Sequence, residues 1–386
     1  MRDVVIIGVG MTRFGRFLDR SPQDLGREAI WNAIEDANIP LKQIQVAYVG
    51  NAVGAQLNEL KGTIGQHVLT TAGIDSIPVT NVENACSSAS SALRLAVLEV
   101  ASGNHDIALA VGVEKMYTGD TAKAAASMAS GTPYAKYGFT FVAEYALNLR
   151  KWMRKYPAVK VEHFAKVVVK NSKNGSLNPY AQFRKPLSVE DVLHSRMVAN
   201  PLTLYMCSGI GDGSAAAIVC TKKIARKYTS KPLIEVAACE LLSGTYTYPD
   251  EAHEACSSRA AKQAYERAGI GPEDVNVAEV HDAMAPAELK LYEELGFCQE
   301  GESARMIDEG RTMINGTIPV NPSGGLAAKG HPVGATGLAQ IAEIVWQLRG
   351  EAGDRQVSNP KVGLTQNQGG LVVGDNAACV VTILKK

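Results

Sequence analysis

With 386 residues the chain exceeds the usual size of a single hydrophobic core, so two or more structural units are expected. Lys plus Arg and Asp plus Glu both number 39, a balance that argues against a broad nucleic-acid footprint or steering of a strongly charged partner by overall charge. The 46% of hydrophobic residues are dispersed, and no run approaches the roughly 20 apolar residues of a membrane span.

Met1 to Ile7 opens as a strand and lacks the layout of a signal peptide. The cysteines at 86, 207, 220, 239, 256, 298 and 379 are odd in number and irregularly spaced, which fits neither a disulfide frame nor a zinc site. A reduced, cytoplasmic setting is expected. Val4 to Gly8 reads as a buried strand. The glycines at 8, 10 and 15 superficially resemble a dinucleotide fingerprint, but the third is misplaced and the motif is discarded. Ser21-Pro22 starts a helix carrying Leu25, Ala29, Ala33 and Ala37, and a strand follows at Val46 to Val49.

An extended segment, Pro78 to Val82, runs into Asn84-Ala85-Cys86-Ser87-Ser88-Ala89. Leu93, Ala96, Val97 and Val100 then repeat at helical spacing up to Gly103. Cys86 is thereby expected at a strand-to-helix junction, where unpaired N–H groups and the helix dipole favour a thiolate. Its small neighbours are expected to let another molecule come close. Most free cysteines are structural, so the rest of the chain decides the matter. Between about Tyr117 and Tyr205 lies a segment with Trp152, Tyr156, Tyr180 and Phe183 among basic residues, expected to form a lid or binding flap.

The first unit is then written again. Ala29, Ala33, Ala37, Ile39, Ile44, Val46 and Val49 are matched at a constant offset of 231 by Ala260, Ala264, Ala268, Ile270, Val275, Val277 and Val280. Gly211-Asp212-Gly213-Ser214-Ala215-Ala216 is echoed by Gly374-Asp375-Asn376-Ala377-Ala378-Cys379. Two matches in the same order argue for a duplicated α/β unit, with a mostly parallel sheet expected in each half. His281, beyond the repeated strand, has no counterpart at Gly50-Asn51 and is an addition to the frame. Asn321-Pro322-Ser323-Gly324-Gly325 and Lys329-Gly330-His331-Pro332-Val333-Gly334-Ala335-Thr336-Gly337 form a glycine-rich pair of loops that lets backbone approach a substrate. Gln366 to Gly370 is a further stretch expected to be flexible and to line the same crevice. Together these supply a thiol nucleophile and two imidazoles, a set suited to acyl transfer through a thioester. Metal binding by His281, Asp282 and His331 is disfavoured, because the residues lack helical or finger-like spacing.

Over essentially its whole length the sequence resembles the thiolase superfamily, through Asn84-Ala85-Cys86-Ser87-Ser88, Asn321-Pro322-Ser323-Gly324-Gly325 and Gly330-His331-Pro332-x-Gly-Ala-Thr-Gly. His281-Asp282 and Met11-Thr12-x-Phe14 are similar to the sterol-carrier-protein type and its archaeal and bacterial relatives. The resemblance implies a duplicated five-layered αβαβα fold with an inserted loop domain that helps hold coenzyme A. The first half is expected at 1–116 and 206–230, the insert at 117–205 and the second half at 231–386. It implies that Cys86 takes the acyl group, that His331 activates it, and that His281 with His331 holds the thioester enolate. Backbone N–H groups of Cys86 and of the Gly369-Gly370 turn would form a second oxyanion hole, with Asn321, Ser323 and Gly324 also at the substrate. Coenzyme A enters as substrate, and no permanently bound cofactor or metal is implied. A homodimer core is implied, as is a small zinc-ribbon/OB-fold partner subunit.

One departure stands out. The second cysteine of thiolases is missing: its place after His-Asp is Ala283, and Gln366 to Gly370 offers none. The expected activity is cleavage or formation of a β-oxoacyl-CoA, including a bulky or aromatic one such as benzoylsuccinyl-CoA. Ala124 to Ala129 and Gly131 leave space for such a group. Acetoacetyl-CoA thiolysis, retro-aldol cleavage, decarboxylating ketoacyl synthesis and a non-catalytic subunit remain as alternatives. Retention of Cys86 and the proline after His331 favour the thiolase.

Overall fold

The computed structural model of the chain describes residues 2–129, 137–138, 140–247 and 253–386. The first half supplies β1 (Val4–Met11), β2 (Val46–Gly50), β3 (Val79–Val82) and β4 (Ile107–Glu114). The insert carries a short hairpin of β5 (Met197–Ala199) and β6 (Leu202–Thr203), after which β7 (Gly213–Thr221) closes the half. The second half supplies β8 (Ile234–Ser243), β9 (Val277–Glu279), β10 (Val362–Val372) and β11 (Asp375–Lys385). Nine of these strands hydrogen-bond in the order β3-β2-β4-β7-β1-β8-β11-β10-β9. Within the sheet the two halves are joined where Val5 and Ile6 of β1 pair with Glu235 and Ile234 of β8.

Alternation along the strands sorts side chains into layers. In β1, Val5 and Ile7 pack with Leu25, Ala29 and Ala33 of helix Pro22–Ala37 and with Val68 of helix Ile64–Ala72. Val4, Ile6, Val9 and Met11 face the other way, onto helices Ser88–Ser102 and Thr336–Arg349. The second of these helices also packs on β9 and β10 of the other half. Beyond that half, Cys379, Val381 and Ile383 pack on helix Cys256–Ala268. Helix, sheet, helix, sheet, helix is therefore the order of layers.

The duplication is visible in backbone detail. Helices Pro22–Ala37 and Cys256–Ala268 both end in a left-handed cap, Asn38 (φ 53°) and Gly269 (φ 63°), then make a 3-10 turn and enter a strand. The sheet is less parallel than the alternating pattern predicts. Pairs β2–β3, β2–β4 and β9–β10 are parallel, whereas β4–β7, β1–β7, β1–β8, β8–β11 and β10–β11 are antiparallel. The reason is that each closing strand, β7 or β11, returns between two earlier ones and runs against both.

The insert, expected to form a lid or binding flap, packs against the second half. Its helices Phe141–Lys155 and Val161–Leu177 place Leu149, Trp152, Phe164 and Val168 in one apolar cluster with Ala260, Leu289 and Tyr292 of the second half. Its aromatics mostly pack: Trp152 stacks on Phe164 (6.4 Å), Tyr180 stacks on Trp346 (5.0 Å), and Phe183 stays exposed. Gly131, expected to make room for a bulky acyl group, lies outside the described residues.

The two central helices cross closely. A Cβ on Gly337 would lie 1.9 Å from Ser90 Oγ and 2.8 Å from Ser90 N. Gly337→Ala is therefore expected to lower the urea midpoint by the equivalent of about 1–3 kcal/mol, since a well-packed interface has no slack for a methyl group. A midpoint equal to the parent's would contradict this crossing.

Candidate active site

Cys86 is delivered by a tight turn after β3. Asn84 O accepts from Ser87 N (3.0 Å) and Ala85 O accepts from Ser88 N (3.2 Å). Ala85 sits at φ +47°, a left-handed conformation that costs a non-glycine residue on the order of 1 kcal/mol or more. β10 is laid against this turn. A Cβ on Gly369 would come within 2.2 Å of Asn84 O and 2.7 Å of Ser87 N, so only glycine fits. Gly370 follows at φ +64°, and its N–H and that of Cys86 both point to the Cys86 sulfur.

The two histidines arrive from the other half. His281 follows β9, and His331 precedes helix Thr336–Arg349. Cys86 Sγ and a nitrogen of each ring all lie within 4.8 Å of one another. The ring centroids are 5.0 Å apart and the planes nearly perpendicular, at 81°. Residues some two hundred positions apart thus share one crevice.

Neighbouring groups assign the two rings opposite tautomers. Thr336 Oγ1 donates its proton to Pro332 O (3.0 Å), so it accepts from His331 Nδ1 (2.7 Å). That leaves Nε2 of His331 with a free lone pair. Asn367 Nδ2 donates to His281 Nδ1 (3.0 Å), and Asn367 Oδ1 is held by Ser90 Oγ (2.7 Å). The remaining proton of His281 is therefore on Nε2. One ring can accept a proton and the other can donate a hydrogen bond.

All three groups rest uncharged. Burial pushes the His281 pKa down to about 3. Burial, with the His281 ring and Lys329 nearby, holds His331 well below the usual histidine range. The Cys86 residue is half-buried as a whole, but its sulfur is dehydrated. Burial and then the charge of Glu114 push its thiol up to about 12, against the partial support of the two N–H groups. The thiolate expected at a helix N-terminus is thus not the resting form, because dehydration outweighs the dipole. Glu114, itself pushed up to about 7 by burial, accepts from the N–H groups of Ala52 (3.0 Å), Gly334 (2.8 Å) and Gly54.

Behind His281 stands a buried polar network. Lys170 Nζ pairs with Glu288 and donates to Val320 O (2.6 Å). Asn171 Nδ2 bridges Asp282 Oδ2 (2.9 Å) and Glu288 Oε2 (2.8 Å), and Lys329 pairs with Glu279 (3.0 Å). Burial and the Glu288 charge push the Asp282 carboxyl well above the usual carboxylate range. Asp282 Oδ1 accepts from Leu326 N (2.7 Å), so Asp282 braces the glycine-rich loop and faces away from the trio.

Asn321, Ser323 and Gly324, expected at the substrate, are buried and spend their polar groups inside the protein. Asn321 Oδ1 accepts from Val280 N (2.8 Å) and its Nδ2 donates to Glu288 (2.7 Å). Ser323 Oγ donates to Glu279 (2.7 Å), and a Cβ on Gly324 would meet Gly175 backbone at 2.7 Å. Their place is as supports of His281. Ser87, Ser88 and Ala89 are likewise buried and serve the close helix crossing, whereas Ala85, on the other side of Cys86, is half-buried. Gln366 to Gly370, expected to be flexible, lies within β10 and is paired to β11. Cys379 is buried against Cys256, Ser257 and Gln366.

Sequence reasoning missed Asn367, Thr336, Glu114, Lys170 and Asn171 as positioning groups. Asn367 and Thr336 stood inside quoted motifs. Lys170 and Asn171 carry no local signal, because a buried lysine on a helix reads like a solvated one. Cys86, His281 and His331 are also donors of the kind zinc takes, and no fourth Cys, His, Asp or Glu joins them among the described residues.

Comparison with known proteins gives two family matches. The thiolase N-terminal domain matches residues 4–223, and the thiolase C-terminal domain-like family matches residues 246–385. The acetyl-CoA acetyltransferase of Methanothermobacter thermautotrophicus is 44% identical, over 96% of this chain and 97% of that protein. The benzoylsuccinyl-CoA thiolase subunit BbsB of Thauera aromatica is 38% identical, over 96% of this chain and 95% of its own length. Among solved structures, the Ltp2-ChsH2(DUF35) aldolase is similar with a TM-score of 0.81 and 25% identity, over 99% of this chain and 97% of that one.

A thiol held at about 12 predicts a distinctive reactivity. Alkylation of Cys86 by iodoacetamide should climb about tenfold per pH unit from pH 7 to 10, with no plateau near the value of about 8.5 for an exposed cysteine. A plateau below that value would show a resting thiolate and contradict the electrostatics described.

Proposed function

This chain belongs to the thiolase family of acyltransferases, and we propose that it is a CoA-dependent thiolase of short β-oxoacyl-CoA esters, acetoacetyl-CoA above all. The observation that carries the reading is the Cys86–His281–His331 trio, with donor atoms within 4.8 Å and opposite tautomers on the two rings. The relative named acetyl-CoA acetyltransferase supports the short substrate, being 44% identical against 38% for the benzoylsuccinyl-CoA thiolase subunit.

In thiolysis, Cys86 Sγ attacks the β-carbonyl carbon while His331 Nε2 takes the thiol proton. The attack needs that acceptor, because the free thiol does not ionise at neutral pH. The carbonyl oxygen becomes an oxyanion facing the N–H groups of Cys86 and Gly370. Collapse breaks the Cα–Cβ bond, leaving an acyl thioester on Cys86 and the enolate of the departing acetyl-CoA. His281 Nε2–H donates to the enolate oxygen, and the proton held by His331 returns to the enolate carbon. A second coenzyme A then gives its thiol proton to His331 and attacks the acyl group. Cys86 leaves as a thiol, protonated by the same ring. In this scheme one imidazole carries both protons, which offers a route round the cysteine missing at Ala283.

The enzyme would act as a homodimer, associated with a small zinc-ribbon/OB-fold subunit; the relative named as a thiolase subunit is in keeping with that assembly. No helix among the described residues is long and apolar enough to cross a membrane.

The test is a panel of β-oxoacyl-CoA esters with free coenzyme A, with and without any co-purifying small protein. Acetoacetyl-CoA should be cleaved to acetyl-CoA, and Cys86→Ala should abolish the reaction. Full activity in Cys86→Ala, release of a free aldehyde or ketone without coenzyme A, or CO₂ from a malonyl thioester would each overturn the reading. His281→Ala should lower kcat by about 10²–10³, the loss typical of one oxyanion donor. Dialysis of this chain, freed of any partner subunit, against a chelator should leave thiolysis unchanged; loss restored by zinc would instead make the trio a metal site.

A further inference from the structure

We propose that Tyr145 sets the upper size of the acyl group that Cys86 accepts, its ring standing between the crevice and a cavity of mixed polar and apolar lining. The inference rests on the thiolase reading above and narrows it to a substrate class.

Tyr145 comes from the insert, on helix Phe141–Lys155. It is half-buried and packs against the apolar cluster of the second half. Gln368 Nε2 donates to its hydroxyl oxygen (3.2 Å). Gln368 is itself anchored, since its Oε1 accepts from Gln366 Nε2 (3.0 Å) and Asn376 Nδ2 (3.0 Å). The ring is therefore pinned at its tip as well as by its helix. Gln368 lies two residues before Gly370 on β10, about 7 Å along a strand, and Gly370 turns its N–H to the Cys86 sulfur. The same proximity is felt electrically: burial raises the Tyr145 phenol first, and Cys86 is foremost among the ionisable groups that add to it.

Tyr145 also borders a cavity of about 80 Å³. Tyr145, Leu149, Ala287, Leu291 and Leu371 form its apolar side, and six polar or charged residues, Lys290 and Glu294 among them, form the rest. Neither Cys86 nor either histidine borders it, so it stops short of the crevice. Alone it is smaller than the cavity of about 150 Å³ known to hold a benzene ring. Removing the Tyr145 ring would add that ring's own volume and join the two spaces. On this proposal an acetyl group fits at the sulfur with the ring in place, and a longer or aromatic acyl group is opposed by the ring.

The experiment measures kcat/KM for thiolysis of acetoacetyl-CoA against 3-oxooctanoyl-CoA and 3-oxo-3-phenylpropanoyl-CoA. The unaltered protein should favour acetoacetyl-CoA, and Tyr145→Phe, which keeps the ring, should keep that ratio. Tyr145→Ala should shift the ratio at least tenfold toward the larger esters. Tyr145→Leu, which preserves apolar packing, should shift it in the same direction and decides the matter if the alanine variant does not fold. Active Tyr145→Ala and Tyr145→Leu proteins with the parental ratio would overturn the role of Tyr145 and leave the thiolase reading intact. A parental preference for the larger esters would also overturn it. Absence of thiolysis with every ester in the unaltered protein would remove the thiolase reading and this inference together.

Discussion

One side-chain amide ties the reactive groups to the frame. Asn367 stands on β10, accepts from Ser90 in the Cys86 helix and donates to His281. Ser90 belongs to the first half of the duplicated chain, whereas Asn367 and His281 belong to the second. The link requires the central helices to approach until only glycine fits at position 337. Close packing between duplicated halves is thus what brings a nucleophile and two imidazoles into one crevice.

Dehydration then decides how those groups behave. A thiol pushed up to about 12 and a ring held down near 3 cannot form a stable ion pair in the empty crevice. The site rests neutral and polarised by geometry, with a bare nitrogen on His331 and an N–H on His281. Charge appears only when substrate brings an electrophilic carbon. In the proposed thiolysis the backbone N–H groups of Cys86 and Gly370 would then have an oxyanion to stabilise, with no reorganisation needed to do so. The cost of holding these polar groups dry is borne by the network behind them, where Lys170, Glu288, Asn171 and Asp282 satisfy one another.

Much of this was legible before any coordinates. The offset of 231 exposed the duplication because both copies keep their small core residues and their cap-turn-strand grammar. Cys86, His281 and His331 stood out as reactive residues in glycine-rich or junction surroundings. What was not legible has a common cause, namely that it depends on partners distant in sequence. The closing strand β7 returns after an insert of nearly ninety residues, so its antiparallel pairing leaves no local trace. Asn321 and Ser323 look like ligand-binding residues in isolation, and only Glu279 and Glu288 reveal that their hydrogen bonds are already spent. The packing of the aromatic-rich insert on the second half is likewise a tertiary fact.

The shared helix Thr336–Arg349 also bears on how the chain is made. The inner faces of β1, β4 and β7 are complete once residue 221 has been synthesised, yet the helix that covers much of them lies more than a hundred residues further on. During translation the first half therefore emerges with an open apolar face and cannot finish folding alone. That interval is an aggregation hazard, and the nascent polypeptide is a natural client for chaperones until its own distal segment arrives.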